Sequence, residues 1–450
     1  MKAANIGSFI YLGDNLKYFI KTYGCQMNEH DSEILANSLQ NMGYMPTRQL
    51  KEADIIIFNT CAIRKNAENK VYGNLGWLKG DPHFDDKIIC LCGCMMQSDE
   101  IRNIILEKYK NVNVIFGTNN IDKIEEYIKE YKNTGKTVVE IKEKNNYVDE
   151  SFKAIRPYKF KSLVNITYGC NNFCTFCIVP YTRGRETSRL QSDIIDEIKY
   201  LVDDGVKEIM LLGQNVNSYG KTFRDGTSFA GLLKEIGKIR DLKRIRFMTP
   251  HPRDITDEFL ECYGTIDNLM PQLHLPIQSG SDKVLKDMNR HYDMSRYMDI
   301  VNKARKIRPD ISFSTDIIVG YPTETEDDFN LTLEAVKNVR YDSAFTFIFS
   351  PRPNTPASKL KTLDDDIIKN RFERLTNLMN EIQLENHKDT VGKRYEVLIE
   401  SYDAKNNSIE GRNEYGRQIV LNGSKDDIGR ILEVEVERVN TFTSFGKEVR

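Results

Sequence analysis

Apolar and polar positions alternate in blocks through the first third of the chain. Apolar runs at 18–23, 54–58, 87–92 and 112–116 are each followed by helical periodicity, over 32–42, 65–78, 99–109 and 121–131. Strand-length runs followed by helices of this length predict an open, mostly parallel sheet with flanking helices. A polar stretch at 133–156 reads as a linker or hairpin. Six further strand-helix units follow, with strands over 163–167, 208–212, 244–248, 271–275, 312–319 and 343–349. Helices over 193–203, 229–240, 295–308 and 326–338 lie between them. That repeat predicts a partial (β/α)6 barrel, whose functional edge is the carboxyl end of its strands. Ile368, Phe372, Leu375, Met379 and Ile382 recur at helical spacing and predict one long amphipathic helix over 364–389. Beyond Gly392 the pattern becomes strand-like, at 395–400, 408–412, 418–421, 431–438 and 444–449. Five short strands between Asn/Gly turns predict a small antiparallel β-barrel. The fold class is therefore α/β with a C-terminal β module, divided at 17–133, 156–388 and 389–450.

Composition adds bounds. A chain of 450 residues has a length prior of about three domains. No stretch approaches the ~20 apolar residues that cross a bilayer, and no secretory signal is read at the start. No membrane partner is expected. The formal net charge is −2, so any nucleic-acid partner must be argued from local features. Nine cysteines make an odd set with three in one loop, which suits metal binding in a reducing cytoplasm better than disulfides.

Those three are Cys170, Cys174 and Cys177, in Tyr168-Gly-Cys-Asn-Asn-Phe-Cys-Thr-Phe-Cys-Ile at the end of an apolar strand. Structural zinc takes four ligands. Cubane iron-sulfur clusters are held by thiolates, so three leave one iron open for a substrate or cosubstrate. No His or Cys follows closely to complete a zinc knuckle. A second set lies in the first domain. Cys25, Cys61 and Cys94 each follow a predicted strand. In an open parallel sheet the strand carboxyl ends converge on one edge, which predicts a second three-thiolate centre. Cys92 is a rival third ligand, but it lies inside the strand. Cys94 is preferred, and Cys90, Cys92 and Cys262 read as core. Polar segments follow the barrel strands as well: Gly213-Gln-Asn-Val-Asn-Ser218, Thr249-Pro-His-Pro252, His274-Leu-Pro-Ile-Gln-Ser-Gly280, then Asp316 and Gly320-Tyr-Pro-Thr-Glu324. Arg183, Arg185 and Arg189 form a basic cluster, a candidate for substrate phosphate or carboxylate.

The cysteine spacing, Gly-Cys-Gln-Met-Asn28, Asn-Thr-Cys61, Arg-Gly-Arg-Glu186 and Gly-Gln-Asn-Val-Asn-Ser-Tyr219 together resemble the radical S-adenosylmethionine methylthiotransferases over almost the whole chain. Within that family, Gly-Cys-Gln-Met-Asn is similar to the branch acting on isopentenylated adenosine next to the tRNA anticodon. The branches acting on threonylcarbamoyladenosine and on a ribosomal protein read differently there. The resemblance implies an N-terminal methylthiotransferase domain, a radical S-adenosylmethionine barrel and an RNA-binding TRAM module. It implies two 4Fe-4S clusters, on Cys170/Cys174/Cys177 and on Cys25/Cys61/Cys94, with S-adenosylmethionine held by Gly213, Gln214, Asn215, Gln278, Ser279 and Asp316. The implied reaction adds a methylthio group to adenine carbon 2 at the expense of two S-adenosylmethionine molecules. The implied partners are the tRNA anticodon arm and an electron donor such as flavodoxin or ferredoxin, with the enzyme a cytoplasmic monomer.

Overall fold

The computed structural model describes residues 16–62, 65–142 and 154–449. They divide into two compact units, one ending near Lys142 and Ile155, the other running from Arg156 onward.

The first unit is a six-stranded parallel sheet in the order β2-β1-β3-β4-β5-β6. Its strands are β1 (Lys17–Thr22), β2 (Met45–Pro46), β3 (Ile55–Thr60), β4 (Ile88–Gly93), β5 (Val114–Phe116) and β6 (Val138–Glu140). Its helices are α1 (Gln26–Asn41), α2 (Lys65–Gly80), α3 (Asp99–Lys108) and α4 (Ile124–Thr134). The apolar run of β3 is buried on both faces: Ile56 and Phe58 pack on one side with Val71 and Leu75 of α2, Ile55 and Ile57 on the other with Leu35 and Leu39 of α1. Two differences from the sequence reading have clear causes. Strand β6 lies inside the polar stretch read as a linker, because it is a three-residue edge strand with only Val138 buried. Helix α1 starts at Gln26 rather than near 32, because its first turns bury polar residues, Asn28, His30 and Asp31, which apolar periodicity does not register.

The second unit contains β7 (Lys161–Asn165), β8 (Thr167–Tyr168), β9 (Thr187–Ser188), β10 (Glu208–Leu212), β11 (Arg244–Phe247), β12 (Gln272–His274), β13 (Ser312–Val319) and β14 (Ser343–Ile348). The helices are α5 (Val179–Thr182), α6 (Gln191–Asp203), α7 (Phe229–Gly237), α8 (Asp257–Thr265), α9 (Asp282–Asp287), α10 (Met294–Ile307), α11 (Glu326–Val339) and α12 (Asp365–Lys388). Six strands form two parallel arcs, β7-β10-β11 and β12-β13-β14, joined by a bridge between Ile245 and Leu269. This is the partial (β/α)6 barrel, split midway. The first strand ends at Asn165, because Thr167 and Tyr168 peel away to pair with Thr187 and Ser188. Leu375, Met379 and Ile382 of α12 pack into the barrel's outer core.

The chain ends in a closed five-stranded barrel, β15 (Arg394–Asp403), β16 (Ser408–Asn413), β17 (Gln418–Asn422), β18 (Ile431–Val439) and β19 (Ser444–Glu448). It is not wholly antiparallel as expected: β17 and β19 run parallel. An odd number of strands cannot close with every neighbour antiparallel, so one parallel pair is required. This small barrel also seals the amino-terminal ends of the (β/α) strands. Arg244 donates to Arg412 O at 2.9 Å and Glu396 O at 2.7 Å, and Arg246 donates to Asn413 O at 2.7 Å. Glu208 lies between them, 3.0 Å from Arg246 Nε and 3.0 Å from Lys161 Nζ. Burial alone would raise the Glu208 carboxyl, but Arg246, Lys161 and Arg244 outweigh it and hold the group at about 2.

Candidate active site

Three strand ends meet in the first unit through one side chain. Asn28, in the first turn of α1, is fully buried. Its Nδ2 donates to Tyr23 O at 2.8 Å and Thr60 O at 2.9 Å, tying the end of β1 to the end of β3. The Sγ atoms of Cys25 and Cys94 stand 3.9 Å and 4.0 Å from its Oδ1. Cys61 closes on the same turn: a Cβ on Gly24, whose φ is +115°, would meet Cys61 Sγ at 2.9 Å. Gly93, with φ +92°, turns Cys94 out of β4, and a Cβ there would strike Thr60 O at 2.4 Å. Cys90 and Cys92 remain inside β4 and pack among Leu35, Ile124 and Ile128. In sequence Asn28 is only the last residue of the Gly-Cys-Gln-Met-Asn motif. Its role follows from the fold, not from its residue type.

The second thiol set is local. The β8/β9 pair flanks its loop, and Gly169, with φ +70°, passes so close to Arg185 O that a Cβ would meet it at 2.2 Å. Cys170 N donates to Gly184 O at 3.1 Å, and Cys177 N to Cys174 O at 2.9 Å. Cys170 and Cys174 are buried and Cys177 partly so. Burial pushes the Cys170 thiol up to about 11 and the Cys177 thiol up to about 12, with Arg290 pulling both the other way. Metal binding deprotonates a coordinating thiol outright. Among the described residues no three His, Cys, Asp or Glu side chains close on a point as ligands of one bare ion. A cubane takes its thiolates on separate corner irons.

The three arginines after the loop part company. Arg185 is exposed, with its guanidinium 4.3 Å over the Phe173 ring. Arg183 is buried. Arg189 is turned inward, donating to Asn165 O and to Glu197 Oε2, both at 2.7 Å. Through these contacts it braces β7 against α6.

Along the rim, Gly213 is required by packing, since a Cβ would lie 2.3 Å from Thr167 Oγ1. Gln214 is half-buried beside it. Asn215 donates to Asp254 Oδ2 at 2.7 Å, while its Oδ1 is buried without a partner among the described residues. Thr167 Oγ1 and His251 Nε2 are likewise buried and unpartnered. His251 Nδ1 accepts from Arg253 N at 3.2 Å. Burial, then Arg290 and Arg253, hold the ring well below its usual pKa and hence neutral. The proton is therefore on Nε2, an orphan donor. Orphaned buried groups of both kinds suit a polar ligand. In sequence His251 is one residue of the Thr249-Pro-His-Pro252 segment, and an isolated His carries no signal there.

Gln278 follows β12 with φ +65° and pairs by its backbone with β13. The Ser279 hydroxyl accepts from Ser281 N at 3.2 Å and lies 3.4 Å from Thr332 Oγ1 of α11. Asp316 Oδ2 is 3.5 Å from His274 Nε2, and the ring of the half-exposed Phe345 stands edge-on to His274 at 6.1 Å.

Three family models match the chain: the uncharacterized protein family UPF0004 over residues 17–117, the Radical SAM superfamily over 164–336 and the TRAM domain over 388–449. The tRNA-2-methylthio-N(6)-dimethylallyladenosine synthase of Clostridium beijerinckii is 48% identical over 433 residues, covering 96% of this chain and 95% of its own. That of Clostridium tetani is 46% identical over 454 residues, covering 99% of each. The chain belongs to the tRNA-2-methylthio-N(6)-dimethylallyladenosine synthase family. Solved structures extend the likeness to fold alone. The radical S-adenosylmethionine methyltransferase TsrM of Kitasatospora setae aligns with a TM-score of 0.57 at 13% identity, over 76% of this chain and 74% of its own. The cobalamin-dependent radical enzyme OxsB aligns with a TM-score of 0.52 at 12% identity, over 81% and 56%. Among the described residues of this synthase-family chain, no helix is long and apolar enough to cross a membrane.

Proposed function

We propose that this protein is a radical S-adenosylmethionine methylthiotransferase that adds a methylthio group to carbon 2 of N(6)-isopentenyladenosine at position 37 of tRNA, next to the anticodon. The observation that carries the reading is identity of 46–48% along nearly the full length of relatives named for that product. Labour divides among residues 17–133, 156–388 and 389–450. Cys170, Cys174 and Cys177 hold one 4Fe-4S cluster, and Cys25, Cys61 and Cys94 hold a second. The groups bound there supply radical generation from S-adenosylmethionine and delivery of the methylated sulfur. The chain's own residues bind, orient and exclude. Asn28 fixes the N-terminal thiols on one edge, and Gly93 lifts Cys94 out of the strand toward them. Gly213, Gln214, Asn215, Gln278 and Asp316 face S-adenosylmethionine, joined by the orphan donor of His251 and the orphan acceptor of Asn215. Exposed Arg185 meets the tRNA backbone, and a base in an anticodon loop is free enough of pairing to be splayed into the barrel mouth. The electron comes from a donor such as flavodoxin or ferredoxin.

The test is mass spectrometry of tRNA nucleosides from a strain lacking the gene. N(6)-isopentenyladenosine should accumulate and its 2-methylthio form vanish, with restoration by the intact gene. Loss of methylthiolation on threonylcarbamoyladenosine, or on a ribosomal protein, with the isopentenyl product unchanged would overturn the assignment.

A further inference from the structure

Arg290 is a buried cation with an unusual partner. Arg189, Arg246 and Arg371 are also buried, and each pairs with a carboxylate, on Glu197, Glu208 and Glu324. Among the described residues Arg290 has none. Its Nη1 donates to Cys174 Sγ, its Nη2 to Pro276 O and its Nε to the Tyr292 hydroxyl, each at 3.3 Å. Leaving a charge buried without a counter-charge is strongly unfavourable, and the side chain this guanidinium addresses through Nη1 is the sulfur of Cys174.

The backbone around it is built to hold that contact. Asn289 and His291, on either side, both have positive φ, +59° and +57°, a conformation that non-glycine residues adopt only when their surroundings impose it. The same turn grips the cysteine loop at further points. Thr175 N donates to Met288 O at 3.1 Å, and Thr175 Oγ1 to Asp287 O at 2.9 Å. Asn289 Nδ2 donates to Phe173 O at 3.0 Å. Residues 173 and 175 are thus clamped on both sides of the thiol that Arg290 meets. From the other side the Tyr292 hydroxyl donates to Ile277 O at 2.8 Å, which fastens the turn to the loop after β12.

We propose that Arg290 is a positioning residue for the barrel cluster: a fixed cation, hydrogen-bonded to Cys174 Sγ, that offsets thiolate charge and raises the potential at which the cluster accepts an electron. This rests on the assignment of Cys170, Cys174 and Cys177 as its ligands. Reduction adds one electron from an external low-potential reductant and breaks no bond, so the added negative charge is stabilised by whatever positive charge and N–H···S bonds surround the sulfurs.

The test uses full-length protein, reconstituted anaerobically, with Cys25, Cys61 and Cys94 changed to Ala so that one cluster remains. Midpoint potentials are read by electron paramagnetic resonance during titration with a viologen mediator, alongside iron content and affinity for S-adenosylmethionine. Arg290→Gln should move the potential to more negative values, with Arg290→Lys close to the parent. Tyr292→Phe, which keeps the cation and removes the hydroxyl anchor, should stay near the parent. If Arg290→Gln takes up no iron, uptake by Arg290→Lys supports the charge role, and equal failure of both overturns it in favour of shape. An unchanged potential in Arg290→Gln also overturns it. So does weakened S-adenosylmethionine binding at unchanged potential, which would make Arg290 a carboxylate receptor for the cosubstrate. Persistence of the signal after Cys170, Cys174 and Cys177 are changed to Ala would instead sink the ligand assignment.

Discussion

The two thiol sets reach similar ends by opposite routes. In the second unit three cysteines lie within eight consecutive residues, presented by a short antiparallel pair and braced by the turn at 287–292. In the first unit the three are spread over seventy positions, and nothing local brings them together. Parallel strands β1, β3 and β4 place their carboxyl ends side by side, and Asn28 then links them. A site assembled from three strand ends depends on every strand keeping its register.

The largest test of this contrast is removal of each set. The intact protein should carry about eight irons, four in each cubane. Changing Cys170, Cys174 and Cys177 to Ala should remove half and abolish S-adenosylmethionine cleavage. Changing Cys25, Cys61 and Cys94 should remove the other half and leave cleavage in place. Retention of all the iron in either triple variant would break the division.

Next in size is deletion of residues 390–450. The small barrel supplies the carbonyls that receive Arg244 and Arg246, so its loss uncovers a buried charge group rather than releasing an independent tail. Breaking such a group costs on the order of 3–5 kcal/mol. Thermal denaturation of the truncated protein should show the (β/α) barrel melting earlier. An unchanged melt would make the small barrel a pure RNA grip.

Acid should act on the same junction. Glu208 sits at about 2 against an ordinary 4.5, so its contribution to stability is fully present above the higher value and is lost as pH falls toward the lower. That difference corresponds to roughly 3 kcal/mol. Denaturation midpoints taken between neutral pH and the acid limb should fall less steeply in Glu208→Gln than in the parent. Parallel curves would remove Glu208 from the argument.

Asn28→Ala probes the assembled site directly. It leaves Tyr23 O and Thr60 O without their donor, at about 1–3 kcal/mol for a buried group so stranded. Iron should be lost from the N-terminal set first, while the local loop keeps its own. Equal loss from both would deny that Asn28 is the link. Smallest is Cys92→Ala, a packing change of about 1–2 kcal/mol with methylthiolation retained, whereas Cys94→Ala should abolish methylthiolation. An inactive Cys92 variant beside an active Cys94 variant would reverse that choice.

Sequence alone determined the strand-helix order, the split into sheet, barrel and terminal β module, and the Cys170/Cys174/Cys177 loop. These are legible because periodicity and close spacing are local properties of the chain. It did not reveal β6, whose three residues are too few to show alternation, or the early start of α1, whose buried face is polar. Nor did it place individual polar side chains. Arg183, Arg185 and Arg189 look equivalent in sequence, yet Arg185 is exposed while Arg189 is locked on Glu197. The Ser279 hydroxyl lies beside Thr332 of α11. Asn28, His251 and Arg290 gain their meaning only from partners 32 and 116 positions away or from burial that leaves an atom unpaired. Such roles belong to pairs of residues brought together by the tertiary fold. A sequence states which donors, acceptors and charges exist, but only packing decides which of them meet and which are left facing a ligand.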